Sequence, residues 1–321
     1  MKGFRKHRNV LIIMFIAVLF PLVVRNGYFL RIATLCLIYI MLAGSLNLIM
    51  GYLGEFSLGH AAFYCIGAYT SALLSTRLGL PFWPCLVVAG AMACLFGFLI
   101  GFATLRLSGI FFAFGTLGLG EVIRIMIQNL QFTGGPMGVT GIPKPSLFGL
   151  RFNQMAFYYL GLLLASFFTL IIHQMVHSNT GRAIMSIRED DIAARNLGIN
   201  VLKYKLITMG VSCFIAGVAG SFFAHFSMFI NSGIFDVDET VVMITMVVIG
   251  GMGTVVGPVL GAIALTILPE VFRSLADYRE LIYGGALILA VLFAPGGLAG
   301  IRFSRRHKNA GTVPMRSNEL C

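Results

Sequence analysis

Few side chains in this sequence can do chemistry, and several of those that can stand in apolar surroundings. The stretch GYLGEFSLGHAAFYCIGAYT (51–70) sets Glu55, Ser57, His60, Tyr64 and Thr70 among apolar residues and glycines. Ionisable groups in hydrocarbon are costly and face a bundle interior or an aqueous cavity. Glu55 and His60 fall close to the expected inner boundary of their span, within reach of headgroup water. For Ser57, Tyr64 and Thr70 one reading is interhelical hydrogen bonding, worth about 0.6 kcal/mol each. Taken with Gly54, Gly59 and Gly67, the set reads as a lining that a solute can approach closely. Glu121 and Arg124, three residues apart on one helical face, can neutralise each other as an intramembrane ion pair. A gate contact is the alternative for that pair, and His173 and His225 read as lone histidines satisfied by neighbours. The chemistry these residues suit is passage rather than bond making. The chain contains no H-E-x-x-H, no G-x-S-x-G and no C-x-x-C, so no catalytic residue, metal site or cofactor is expected.

The elements that must position these groups follow from composition. Of 321 residues, 58% are hydrophobic and 11% charged, with a mean hydropathy of +0.91. Soluble domains carry about 25% charged residues, so the chain reads as an all-α polytopic membrane protein. The net charge of +11 gathers at the two ends, around Arg5 and Lys6 and around Arg302 and Lys308. Membrane-flanking basic residues mark the cytoplasmic side and meet anionic lipid, so no nucleic-acid partner is expected. The basic start followed by VLIIMFIAVLF reads as an uncleaved first span, because no A-x-A-like site follows before Arg25.

Apolar runs of about 20 residues fall at 10–24, 30–50, 56–75, 83–105, 107–128, 155–177, 206–228, 241–267 and 281–299. Starting inside, six spans return the chain to the cytoplasm at 178–205, where five Lys and Arg agree with that side. Span seven places 229–240 outside with Asp236, Asp238 and Glu239. The parity then fails unless 241–267 is broken. Its middle, IGGMGTVVGPVLG, holds Gly250, Gly251, Gly253 and Pro258, which interrupt a helix. Irregular backbone at membrane depth is tolerated where protein buries it or where it lines a cavity. The expectation is about eight full spans plus a re-entrant Gly-rich segment, or up to ten by counting its halves, with both termini cytoplasmic. One transmembrane domain covers 1–300 and a basic cytoplasmic tail covers 301–321. GYLGEFSLGHAAF and GGMGTVVGPVLGA echo each other's glycine spacing, a pattern that can mark a transport pathway or simply close packing. The outer stretch TGGPMGVTGIPKP sets tight turns, either as a plug or receptor or as a plain connection.

The loop 179–205 carries its own fold signals. Ser186-Ile187-Arg188-Glu189 has capping-box spacing, so a helix is expected to start at Ser186. Asp191 and Arg195 form an i,i+4 pair, Gly198 supplies a stop, and Asn200 caps the next helix. Two short helices around a glycine turn, with Ala193, Ala194 and Leu197 as a small apolar face, describe a rigid knob shaped for a partner's groove.

GRAIMSIREDDIAARNLGI (181–199) resembles the coupling loop of ABC-importer permeases, with Glu189, Ala193, Ala194 and Gly198 nearest to its pattern. Glu189 stands further from the alanines than in the commonest form. GYLGEFSLGHAAFYCIGAY, LRLSGIFFAFGTLGLGEVIR, TGGPMGVTGI and VVIGGMGTVVGPVLGA, in that order over about 40–300, are similar to the LivM-type permease of branched-chain amino acid ABC importers. The resemblance implies a multi-pass protein of the bacterial inner membrane working with two cytoplasmic ATPase subunits, a second related permease and a periplasmic solute-binding protein. Ser186, Glu189, Ala193, Ala194 and Gly198 would then contact the ATPase, and Gly54, Ser57, Gly59, Tyr64, Thr70, Gly250, Gly251 and Gly253 would line the path. The dipeptide Gly-Lys occurs nowhere, so the chain has no P-loop and ATP would act through the partners. Permeases for urea or short amides are similar, and an ion-coupled secondary transporter is the rival of another class. An intramembrane enzyme is disfavoured by the missing motifs.

Overall fold

A computed structural model describes residues 17–21, 26–104, 107, 109–147, 150–271 and 285. The expected span 281–299 apart from residue 285, the tail 301–321 and most of 10–24 lie outside the described residues. The main helices are α1 (Gly27–Asn47), α2 (His60–Arg77), α3 (Phe82–Thr104), α4 (Ile110–Asn129), α5 (Gln154–His177), α6 (Asn179–Glu189), α7 (Asp191–Asn196), α8 (Val201–Ser227), α9 (Val237–Gly250) and α10 (Val256–Val271). Five of them, with α1 prolonged to Leu53, are long and apolar enough to cross a membrane.

Polar caps start several helices, the one at Asn200 as expected. Asn26 accepts from the Tyr28 N–H at 3.1 Å, Asn153 from Gln154 at 3.1 Å and Asn200 from Lys203 at 3.1 Å. Each satisfies one of the donors that a helix start leaves open.

Helix α8 is the centre of the bundle, packed on α2, α3 and α1, with α5 and the α9–α10 pair lying against α1. Small residues allow this closeness. A Cβ at Gly67 would run into the backbone of Gly217, and one at Gly217 would meet Ala93 and lie 2.8 Å from the Ala89 carbonyl. Gly67 therefore serves the contact between α2 and α8, not a lining. Replacing Gly217 with Val should destabilise the bundle by about 1–3 kcal/mol or more through overpacking, read from detergent-unfolding midpoints. Gly118, where an added methyl would meet nothing within 4 Å, supplies the control, since Gly118→Ala should cost nothing and should stabilise the helix by up to about 1 kcal/mol.

Helix α4 lies at the edge and exposes Ile110, Phe111, Phe114, Val122 and Met126, as a lipid-facing helix would. At one end of the bundle, β1 (Val139–Thr140) pairs antiparallel with β4 (Phe229–Ile230), with Val139 opposite Ile230; β2 (Ser146–Leu147) pairs with β3 (Leu150–Arg151). His225 joins this end to the core, bonding Ser71 at 3.0 Å and the Pro143 carbonyl at 2.7 Å. It is satisfied by neighbours, as expected.

The 241–267 run is broken as its glycines imply. Helix α9 has 14 residues, about 21 Å of rise, short of the ~30 Å hydrocarbon core. Residues 251–255 leave helical form, and α10 packs back on α9 with Gly250 against Gly257 and Gly261 against the Met246 carbonyl. A second run was expected to be helical from 56 but is not. Between Gly54 and Gly59 the chain is irregular, and α2 begins only at His60. Glycines at both ends, and polar partners from distant helices, hold this segment off the helix.

Candidate functional site

The two glycine-broken stretches, one in each half of the chain, meet in space. After α1 the chain widens into a π-helical turn, Leu48–Leu53, a form that recurs at functional positions. Gly51 there lies against the Gly253 backbone. Asn47 clamps the two together: its Nδ2 donates to the Thr254 carbonyl at 2.9 Å and its Oδ1 accepts from the Gly253 N–H at 3.0 Å. The echo between 51–63 and 250–262 thus corresponds to a physical contact.

Arg188, in the last turn of α6, bridges this contact. Its Nη1 donates to the Gly51 carbonyl at 2.5 Å. Its stem covers Gly54, whose φ of +82° and close approach both exclude a side chain, and its guanidinium lies beside Gly253. Close by, Lys205 at the start of α8 pairs with Glu55 at 2.5 Å, with side-chain exposures of 6% and 9%. Asp191 stands 3.9 Å from the same ammonium. Glu55 is therefore paired inside the protein rather than wetted by headgroup water.

The loop helices differ from expectation at one boundary. Helix α6 runs through Ser186, whose Oγ donates back to the Arg182 carbonyl at 3.0 Å. The cap is Asp190, whose Oδ1 accepts from the Ile192 and Ala193 N–H groups at 2.9 and 3.0 Å. Burial explains the shift: Ala183, Ile184 and Ile187 face the core and carry the helix past Ser186. Asp191 and Arg195 pair at 3.1 Å, and Gly198 has the left-handed φ of +81°. Ala194 is buried against its own chain. Ile192 and Leu197, at 73% and 80% exposure, are the outward apolar groups of α7 and its turn. Sequence reasoning missed Ile192, although an isoleucine between two aspartates and two alanines was its signal.

At the other end of the irregular segment, hydroxyls from other helices serve its backbone. Thr116 Oγ1 accepts from the Leu58 N–H and Thr240 Oγ1 from the Ala61 N–H, each at 3.1 Å. His60 Nε2 and Ser45 Oγ share a bond of 2.8 Å, and Ser212 Oγ donates to the Ser45 carbonyl at 2.6 Å. The Ser57 hydroxyl and His60 Nδ1 are buried with no hydrogen-bond partner among the described residues. Gly59 packs on the Thr116 backbone.

One turn along α2 from His60, Tyr64 lines a cavity of about 270 Å³ together with Leu35, Ile38, Tyr39, Phe223, Ile234 and Glu239. Glu239, expected in an outer loop, lies in the first turn of α9, because Asp236 caps that helix earlier than hydropathy suggested. Of the residues read as lining, only Tyr64 is on this wall. Thr70 is half-buried elsewhere on α2, and Gly54, Ser57, Gly59, Gly250, Gly251 and Gly253 belong to the broken segments and their packing. Glu121 and Arg124 do pair, with Nε 2.9 Å from Oε2. Among the described residues no cluster of His, Cys, Asp and Glu could hold a metal ion. The arrangement can bind and relay movement; the Ser–His pairs it holds, Ser45–His60 and Ser71–His225, are closed inside the bundle.

Comparison with known proteins adds the family. A family model described as "Branched-chain amino acid transport system / permease component" matches residues 28–294. The chain is 39% identical over 308 residues to the high-affinity branched-chain amino acid transport system permease protein LivM of Escherichia coli K12, covering 88% of this chain and 72% of that protein. It is 26% identical over 291 residues to LivH of the same strain, a permease protein named for the same kind of system, covering 82% and 91%. It is 30% identical over 319 residues to the autoinducer 2 import system permease protein LsrC of Enterobacter sp. strain 638, covering 93% and 89%. No solved structure matches it.

Proposed function

Because the chain belongs to the branched-chain amino acid transport permease family, we propose that it forms the membrane path of an ATP-driven importer for branched-chain amino acids. It is an integral membrane protein and a transport subunit, not an enzyme in itself. The observation that supports ATP drive through partners is the seat of Arg188: the 179–200 loop is tied by that side chain to both broken segments. Movement imposed on the loop reaches the bundle interior without a flexible link.

In this reading the loop is cytoplasmic and α7 docks into a groove of an ATPase subunit, presenting Ile192, Ala193 and Leu197. Two ATPases, a second permease of the same family and an external solute-binding protein complete the assembly. Ser186 and Glu189 flank the docking face, and lipid covers α4. The path passes the segments that carry Gly54, Ser57, Gly59, Tyr64 and Thr70 on one side and Gly250, Gly251 and Gly253 on the other. Glu121 and Arg124 act as a structural pair.

The test is ATP-dependent uptake of tritiated leucine by cells whose other branched-chain importers are deleted, with a mild-detergent pull-down of the tagged chain. An ATPase and a second permease should copurify. Uptake that persists after ATP depletion but stops when the proton gradient collapses would favour a secondary transporter. Gly198 refines the test. A Cβ there meets open space, so a substitution costs backbone strain alone, about 1–2 kcal/mol for a residue with a Cβ in a left-handed turn. Gly198→Val should loosen the knob and lose the ATPase from the pull-down while the protein still inserts. Gly198→Asn, which tolerates that conformation better, should retain it. If Gly198→Ala and Gly198→Val both transport normally, the mechanical role of this turn is wrong.

A further inference from the structure

We propose that Ser57 and His60 hold a buried water molecule between the irregular turn 54–59 and the first turn of α2. The inference stands on the hydrogen bonds around these two residues, whatever solute the protein carries. Both residues are fully buried, at 0% exposure. The Ser57 hydroxyl and His60 Nδ1 have no hydrogen-bond partner among the described residues. A folded interior seldom leaves buried polar atoms unbonded, and an internal water is a common partner where protein supplies none.

The neighbours assign the protons. Ser45 Oγ lies 2.7 Å from the Leu42 carbonyl and 2.8 Å from His60 Nε2. A carbonyl only accepts, so the hydroxyl proton of Ser45 goes to Leu42. His60 Nε2 therefore carries the proton of the Ser45–His60 bond, and Nδ1 is left as an acceptor. The donors close by in sequence are committed elsewhere. The Leu58 N–H goes to Thr116 and the Ala61 N–H to Thr240, while the Thr116 hydroxyl donates to the Ala113 carbonyl at 2.9 Å. Whatever bonds Nδ1 must bring its own proton.

Water meets that demand, because it donates to Nδ1 and can either accept from the Ser57 hydroxyl or donate to it. A metal ion fits poorly. His60 is a single nitrogen ligand, and the carboxylate nearest in sequence, Glu55, is taken by Lys205. The second Ser–His set, at the other end of α2, shows the contrast. His225 Nδ1 donates to the Pro143 carbonyl at 2.7 Å, which leaves Nε2 to accept from Ser71 at 3.0 Å, and Ser221 donates to Ser71 at 2.7 Å. Both nitrogens of that ring are bonded within the protein, so the same reasoning calls for no water there. At Ser57 the water completes a row of fixings along the chain. Lys205 holds Glu55, Thr116 holds Leu58 and Thr240 holds Ala61, with the water between the first and the last.

X-ray hydroxyl-radical footprinting of the full chain in nanodiscs, read by mass spectrometry, tests the site. Radiolysis of a bound water oxidises the buried side chains beside it. Phe63, whose ring lies edge-on to His60 at 6.1 Å between centroids, should be oxidised faster than Phe222. That phenylalanine is as deeply buried but packs on Phe157 instead. Ser57→Ala should slow the oxidation of Phe63. The same variant should lower the melting midpoint, followed by Trp83 fluorescence, by roughly 2–4 °C, the scale of one lost hydrogen bond. A hydroxyl buried without a partner predicts the opposite sign, since its deletion relieves an unpaired group and raises the midpoint. The proposal is overturned if wild-type Phe63 is oxidised no faster than Phe222, or if Ser57→Ala leaves its oxidation unchanged. A midpoint for Ser57→Ala equal to or above that of the wild type overturns it as well.

Discussion

Replacing Lys205 with Met should destabilise the folded protein by about 3–5 kcal/mol, the range for leaving one charge of a buried pair uncompensated. Lys205 and Glu55 are both nearly inaccessible and 2.5 Å apart. Asp191 is the further acidic group within 4 Å of the ammonium. Without Lys205, the Glu55 carboxylate loses the cation beside it, and Asp191 loses its second cation. The irregular turn 54–59 then has no ionic anchor. Glu55→Gln should cost less, because an amide can still accept from the ammonium while Asp191 supplies charge. The double variant Lys205→Met, Glu55→Leu should recover much of the loss, since replacing a buried pair by apolar residues of similar volume is often neutral. Unfolding in a denaturing-detergent titration, followed by the fluorescence of the single tryptophan, Trp83, yields the double-mutant cycle. Single-variant losses below about 1 kcal/mol would place the pair among exposed salt bridges and contradict its burial.

Arg188→Ala should cut leucine uptake by about tenfold, the upper part of the range for residues that carry coupling without touching ligand, while ATP hydrolysis by the assembled complex continues. Arg188 is the side chain of the loop helices that bonds to the π-helical turn and reaches Gly253. Removing it leaves the knob's outer face unchanged, so docking should survive. What is lost is the link inward. Arg188→Lys keeps a charge that can bond the Gly51 carbonyl but loses the planar guanidinium whose Nη1 lies between Gly51 and Gly253, so an intermediate ratio of ATP to leucine is expected. The measurement is that ratio in proteoliposomes containing all subunits. Unchanged uptake in the alanine variant would mean that force enters the bundle elsewhere, for instance through α8 directly.

Much of this architecture was legible because it is locally encoded. The helix start at Asn200, the Asp191–Arg195 and Glu121–Arg124 pairs, the stop at Gly198 and the break near Gly251 all depend on residues within a turn or so of each other. Family resemblance supplied the transport reading before any contact was visible. Three features escaped for physical reasons. Ser186 offered a capping pattern, but a cap is worth about 1 kcal/mol and the buried Ile184 and Ile187 outweigh it. The segment 54–59 is apolar enough to look helical, and its irregular form depends on hydroxyls from Thr116 and on an ammonium 150 residues away. The cavity has no local signature at all, since its wall draws on α1, α2, α8, α9 and the turn before α9.

The tight seam between α2 and α8 also sets a timetable. Glu55 is synthesised 150 residues before Lys205, a gap of roughly 8–30 s at ordinary rates of translation. The same delay separates Gly67 of α2 from Gly217, and Tyr64 and Ala68 from Gly220. During that interval α1 to α5 have entered the bilayer without the helix that packs among them. Throughout it the seat of α8 is unfilled, and Lys205, the partner of Glu55 in the complete fold, has yet to be made. The bundle is therefore closed by a late arrival, and a chain cut before α8 lacks the element around which its first half is arranged.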